Sequence, residues 1–219
     1  MSHTMTALAA ALPLTAGWSV HSLWMRRRIE AARRDPLTGL LTRDAFTERA
    51  GRAVARGQSA VYMIDLDGFK QVNDTHGHAA GDAVLTATAE RLQSWGPINN
   101  RIVARFGGDE FAAATKVRDR AELERLTDDL ARSLTRPVPF EGGSLAVGAS
   151  VGAVAVYANE GPELTALLRR ADEAMYTAKR NGGGCSLTEH LSPIRATVNG
   201  RRAGRRGTHH TTGPEGSMP

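Results

Sequence analysis

An α+β fold, with an antiparallel-containing central sheet flanked by helices, is what this chain predicts, and three observations predict it. Two short apolar runs, Ile102-Val103-Ala104 and Phe111-Ala112-Ala113-Ala114, flank Gly107-Gly108. That reads as a tight hairpin, because a glycine pair supplies the positive φ angles such a turn needs. Val61-Tyr62-Met63-Ile64 is a β-branched and aromatic run ending in Asp65-Leu66-Asp67, the pattern of a buried strand that delivers acid to the end of a sheet. Between and around these runs, apolar residues recur at helical spacing.

The elements follow in order. Residues 42–56 read as a helix with Ala45, Phe46, Arg49 and Ala53 along one side. A strand is expected over 59–66. The Phe69/Val72 spacing fits about one helical turn, closed by Gly77. A longer helix, from about Asp82 to Trp95, carries Val84, Leu85, Ala89 and Leu92 on one face. Strands 101–106 and 110–116 make the hairpin, and a helix is expected over 119–134. The apolar run from Leu145 to Tyr157 is one or two strands, and a helix over 162–180 ends at Gly182-Gly183-Gly184.

The 219 residues suffice for one domain of about 150 residues with appendages, taken as 35–188. A single cysteine, Cys185, excludes an internal disulfide. The net charge of +5 hints at nucleic acid, yet its distribution argues against a nucleic-acid-binding face. Residues 26–35 carry +3 and residues 190–219 carry +4, so the stretch between them sums to about −2. No specific nucleic-acid partner is expected. Residues 1–25 form an apolar segment, and its uncharged part, 5–25, is just long enough at ~1.5 Å per residue to span ~30 Å of hydrocarbon. Trp18 and Trp24 would lie near an interface, with Arg26-Arg27-Arg28 as a cytoplasmic flank on a basic linker, 26–34. Pro13, Gly17, Ser19 and His21 weaken the span, and a helix that packs or seeks a partner is the other reading. The tail, 189–219, is rich in Gly, Arg, Thr and His and reads as disordered.

The chemistry concentrates in two acidic clusters. Asp109 and Glu110 follow the bare Gly107-Gly108 turn, where a bulky anion can approach the backbone. Asp65 and Asp67 close the buried strand, followed by Lys70, Asn73 and Asp74. Carboxylates beside a bare turn suit a hard divalent cation carrying a polyphosphate. His76 and His78 are spaced i, i+2 in a turn, which matches no zinc pattern.

Asp65-x-Asp67-x-Phe69-Lys70-x-x-Asn73-Asp74-x-x-Gly77-His78-x-x-Gly81-Asp82, followed by Gly107-Gly108-Asp109-Glu110-Phe111, resembles a GGDEF domain, the diguanylate cyclase module of bacteria. Asp35-Pro36-Leu37-Thr38-Gly39-Leu40 is similar to the family's opening motif, and Ala171-Asp172-x-Ala174-Met175-Tyr176-x-Ala178-Lys179 to its last helix. Ser150-Val151-Gly152 falls where the family opens a strand. The resemblance implies a polymerase-palm or nucleotide-cyclase-like βαββαβ core. It implies condensation of two GTP into cyclic di-GMP and pyrophosphate by a homodimer, with the product acting through downstream cyclic di-GMP effectors. It implies two Mg (or Mn) ions per active site, held by Asp65, the Leu66 carbonyl, Asp109 and Glu110. Asp109 is then the proton acceptor, Lys70 and Lys179 meet phosphates, Asn73 and Asp82 read guanine, and Gly107 and Gly108 seat the triphosphate.

Two positions depart from the family. Gly183 stands where the family has a phosphate-binding arginine, a loss of about 1.5–3 kcal/mol in binding unless Arg180 substitutes. Ile98 and Arg101 stand where many members carry the arginine and aspartate of an inhibitory site, so product inhibition there is expected to be absent. The competing readings are a GTP-binding regulatory or scaffold domain with little or no turnover, and a cyclase for another nucleotide.

Overall fold

The computed structural model describes residues 30–97, 100–156 and 163–189, with scattered helical positions between Trp18 and Arg28. At its centre is a five-stranded sheet in the order β2-β3-β1-β6-β7. The strands are β1 (Ser59–Asp67), β2 (Ile102–Gly107), β3 (Glu110–Lys116), β6 (Gly148–Val156) and β7 (Gly184–Glu189). β1 pairs antiparallel with β3 and with β6, so both its edges are hydrogen-bonded. Helices cover both its faces, which is why its sequence is near-continuously apolar and every residue but Asp67 is buried.

The helices are α1 (Arg43–Val54), α2 (Phe69–His76), α3 (His78–Ser94), α4 (Arg120–Leu134) and α5 (Leu164–Arg180). Alternate strand residues point to opposite faces and build two cores. On one face Tyr62, Ile64, Phe111 and Val151 pack with α3 and α4. On the other, Val61, Met63, Ala112 and Val154 pack with α1 and α5. The α+β architecture expected from the sequence is therefore observed.

Local chemistry explains the helix ends. Asp119 caps α4 by accepting the Glu122 N–H at 2.8 Å, while Glu122 accepts the Arg118 N–H at 2.8 Å. At the end of α5, Gly183 donates to the Ala178 carbonyl and Gly182 to that of Lys179, closing a Schellman turn. α5 supplies the crossover that a parallel β6–β7 pair requires. It lies directly on the sheet: a β-carbon on Gly152 would fall 2.0 Å from the Ala171 carbonyl oxygen.

Several details differ from the sequence expectations. α1 buries Ala45, Phe46, Ala50 and Val54, whereas Arg49 turns outward to meet Glu30 at 2.9 Å. α3 starts at His78, ahead of Asp82, because Gly81 keeps its helical conformation. β7 follows α5 directly, and a small hairpin, β4 (Val138–Phe140) with β5 (Gly143–Leu145), precedes β6. Trp18 and Trp24 are helical and exposed. Among the described residues no helix is long and apolar enough to cross a membrane. Most of the apolar segment 5–25, Ile98 and the tail from residue 190 lie outside the described residues.

Candidate active site

The carboxylates meet where β1 ends and β3 begins. Antiparallel register sets Asp65 opposite Glu110, and the Leu66 N–H donates to the Asp109 carbonyl at 3.3 Å. Paired residues of this kind have α-carbons about 4.5–5.5 Å apart, so the two acidic clusters share one end of the sheet. Asp65 is 4% exposed and Leu66 1%. A buried carboxylate needs a cationic partner, and Lys179, the penultimate residue of α5, provides one by donating to Asp65 at 2.5 Å. Burial by itself lowers the pKa of Lys179. The bond to Asp65 and the charges of Asp65, Asp67 and Asp109 outweigh this, so its pKa is raised and the ammonium persists.

The turn between the strands is built for access. Gly107 (φ 139°) and Gly108 (φ 53°) both lie outside the usual L-residue region, and a β-carbon on either would meet nothing within 4 Å. Arg105 holds the turn from behind, donating to the Gly108 carbonyl from Nε at 3.0 Å and from Nη2 at 2.9 Å. Its remaining nitrogen reaches both oxygens of Asp35, at 3.1 and 3.3 Å. Burial pushes the Asp35 pKa up, but hydrogen bonds from Thr38 and Arg105 bring it below the ordinary aspartate value. The opening motif is thereby tied to the glycine turn.

α2 starts straight after β1, through left-handed Gly68, and carries Lys70 and Asn73. Lys70 is exposed, as is Asp82 on α3. The Asn73 carboxamide lies against Gly81, which places it beside Asp82. The structure thus brings together Asp65, Leu66, Asp109, Glu110, Gly107, Gly108 and Lys179 at one edge, and Asn73 with Asp82 at the helix pair next to it. Lys70 forms no ion pair with the described residues.

Three neighbours complete the site. Asp67 accepts the Ser150 hydroxyl at 2.8 Å and adds its charge at Lys179. Arg43 stacks on Phe106, 4.5 Å from the ring centroid, with Glu110 3.9 Å away. The third is Arg105, whose clamp no local spacing could announce because Asp35 is remote in sequence. Asp67 was legible as the second acid of the strand end.

No three His, Cys, Asp or Glu side chains among the described residues could cage a metal alone. The carboxylates of Asp65, Asp109 and Glu110 with the Leu66 backbone carbonyl are an all-oxygen donor set, the kind that fits Mg²⁺, which keeps waters and takes phosphate oxygens as further ligands. Lys179 against Asp65 shows that this buried carboxylate takes a cation.

Comparison with known proteins agrees. The diguanylate cyclase, GGDEF domain family matches residues 32–185. An uncharacterized 19.3 kDa protein of Streptomyces ambofaciens is 47% identical over 172 residues, covering 78% of this chain and 91% of that protein. Diguanylate cyclase TpbB of Pseudomonas aeruginosa is 39% identical over 171 residues, 75% of this chain but 39% of TpbB, so the chain spans well under half of that relative. The coiled coil and GGDEF domain of DgcB from Caulobacter crescentus, solved in complex with c-di-GMP, superposes with a TM-score of 0.71 at 26% identity, covering 83% of this chain and 97% of that one. With its motifs, its sheet order and a family match over most of its length, the chain belongs to the diguanylate cyclase GGDEF-domain family.

Proposed function

We propose that the chain is an active diguanylate cyclase, joining two GTP into cyclic di-GMP and releasing two pyrophosphates. The observation that carries this reading is the β1–β3 register, which sets Asp65 opposite Glu110 beside an open glycine turn. Each 3′-hydroxyl attacks the α-phosphate of the other nucleotide. Asp65, the Leu66 carbonyl, Asp109 and Glu110 would hold two Mg²⁺ (or Mn²⁺), whose charge neutralises the triphosphate and acidifies the attacking hydroxyl.

The chain's own groups do the rest. The Asp109 carboxylate accepts the hydroxyl proton. Backbone N–H groups of the Gly107-Gly108 turn face the triphosphate, and Lys70 and Lys179 follow charge as it moves onto the leaving pyrophosphate. Asp82 accepts hydrogen bonds from N1 and N2 of guanine, and Asn73 supports that edge. Adenine would leave the Asp82 carboxylate unpaired, at about 1–3 kcal/mol. One protomer offers one such half-site, so two nucleotides react only when two copies face each other across a two-fold axis.

The test is cyclic di-GMP formation from GTP and Mg²⁺ by the full chain, followed by chromatography. Product formation that Asp109→Asn abolishes supports the reading. A folded dimer that binds GTP yet yields no product at any GTP concentration overturns it in favour of a binding or scaffold domain.

A further inference from the structure

Gly81 occupies an interior position of α3, where glycine is a weaker helix former than alanine. Its backbone is ordinary right-handed helix, so conformation does not call for glycine there. Space does. A β-carbon at this position would fall 2.0 Å from Oδ1 of Asn73, 2.9 Å from its Cγ and 3.2 Å from its Nδ2. All three atoms belong to one carboxamide, whose oxygen points into the space that the missing side chain leaves. Gly81 also immediately precedes Asp82, the other member of the proposed guanine-reading pair.

We propose that Gly81 is a specificity-determining positioning residue. Its missing side chain is the seat that holds the Asn73 carboxamide beside Asp82. The inference rests on the guanine-reading role proposed above and adds a third member to that pair. The obstructing atoms are the far end of a side chain. An alanine at position 81 therefore displaces Asn73 and leaves the helix intact, separating recognition from stability.

The test is calorimetric binding of 3′-deoxy-GTP and 3′-deoxy-ATP, which lack the attacking hydroxyl, with Mg²⁺ present. It compares the full-length wild type with Gly81→Ala, Asn73→Ala and the double variant, alongside thermal melts. Gly81→Ala is expected to weaken guanine nucleotide binding about tenfold, leave adenine nucleotide binding unchanged and keep or raise Tm. In the Asn73→Ala background it should add no further loss. If Gly81→Ala fails to fold, recovery of folding in the double variant supports the steric contact, and continued failure overturns it. Retained guanine preference in Gly81→Ala, losses that multiply in the double variant, or a drop in Tm of Gly81→Ala that Asn73→Ala does not relieve each overturn the inference. A wild type that binds both nucleotides equally overturns guanine reading itself, a failure visible before any substitution is made.

Discussion

Two glycine turns border the site, and they use the same residue to opposite ends. Around Gly107 and Gly108 there is open space, and Arg105 holds the turn from behind. At Gly182-Gly183-Gly184 the φ angles are again positive, at 96°, 100° and 88°, but here the middle glycine is packed. A β-carbon on Gly183 would stand 2.8 Å from Oδ2 of Asp67, a short side chain pinned at its other oxygen by Ser150. The first turn leaves room for a bulky anion. At the second, a φ of 100° and the Asp67 carboxylate both stand against a side chain at position 183, where the family resemblance leads one to expect an arginine.

The largest expected effect concerns the open turn. Asp109→Asn should lower the rate of cyclic di-GMP formation by about 10²–10⁴-fold with little change in Tm, because the turn is tied through the Asp109 carbonyl and not its side chain. Arg105→Ala should come next. It removes the clamp on Gly108 and leaves Asp35 without its cation, a stability loss of about 1.5–3 kcal/mol measured by denaturant unfolding.

The contrast between the turns is sharpened by matched alanine substitutions. Gly108→Ala should cost about 1–2 kcal/mol of backbone strain alone. Gly183→Ala should cost more, since Asp67 must also shift, and equal losses would break the contrast. Gly183→Arg should likewise melt lower than wild type without tightening 3′-deoxy-GTP binding, and a tighter complex would refute the packing argument.

The smallest effect is a pH dependence. The Asp35 carboxyl titrates below its ordinary value when folded, so it contributes stability above that value and loses it as pH falls through the folded pKa. The Tm gap between wild type and Arg105→Ala should therefore narrow in acid.

The elements with strong periodicity or composition were legible in the sequence. The apolar β1 run, the glycine hairpin and the last helix all stand where their residues put them. β4 and β5 were not legible, because three-residue strands interrupted by Pro139 and flanked by glycine read as a loop. β7 was hidden behind the glycine triplet, and its pairing is with a strand that α5 separates from it in sequence. In the site, the motif frame marked the residues proposed to face ligand. It was silent about Arg105 and Arg43, which reach Asp35 and Glu110 from other segments. Spacing reports neighbours along a helix or strand, whereas these contacts exist only once the sheet has formed.

The lysine seated on Asp65 carries one more consequence. A divalent ion entering there must evict an ammonium, so loading is a counter-ion exchange whose cost the evicted group recovers only by finding another anion. In the proposed reaction the triphosphate would be that anion. Ion and nucleotide should therefore each raise the other's affinity by the same factor, and the domain without nucleotide should be a poor chelator despite its concentration of acid.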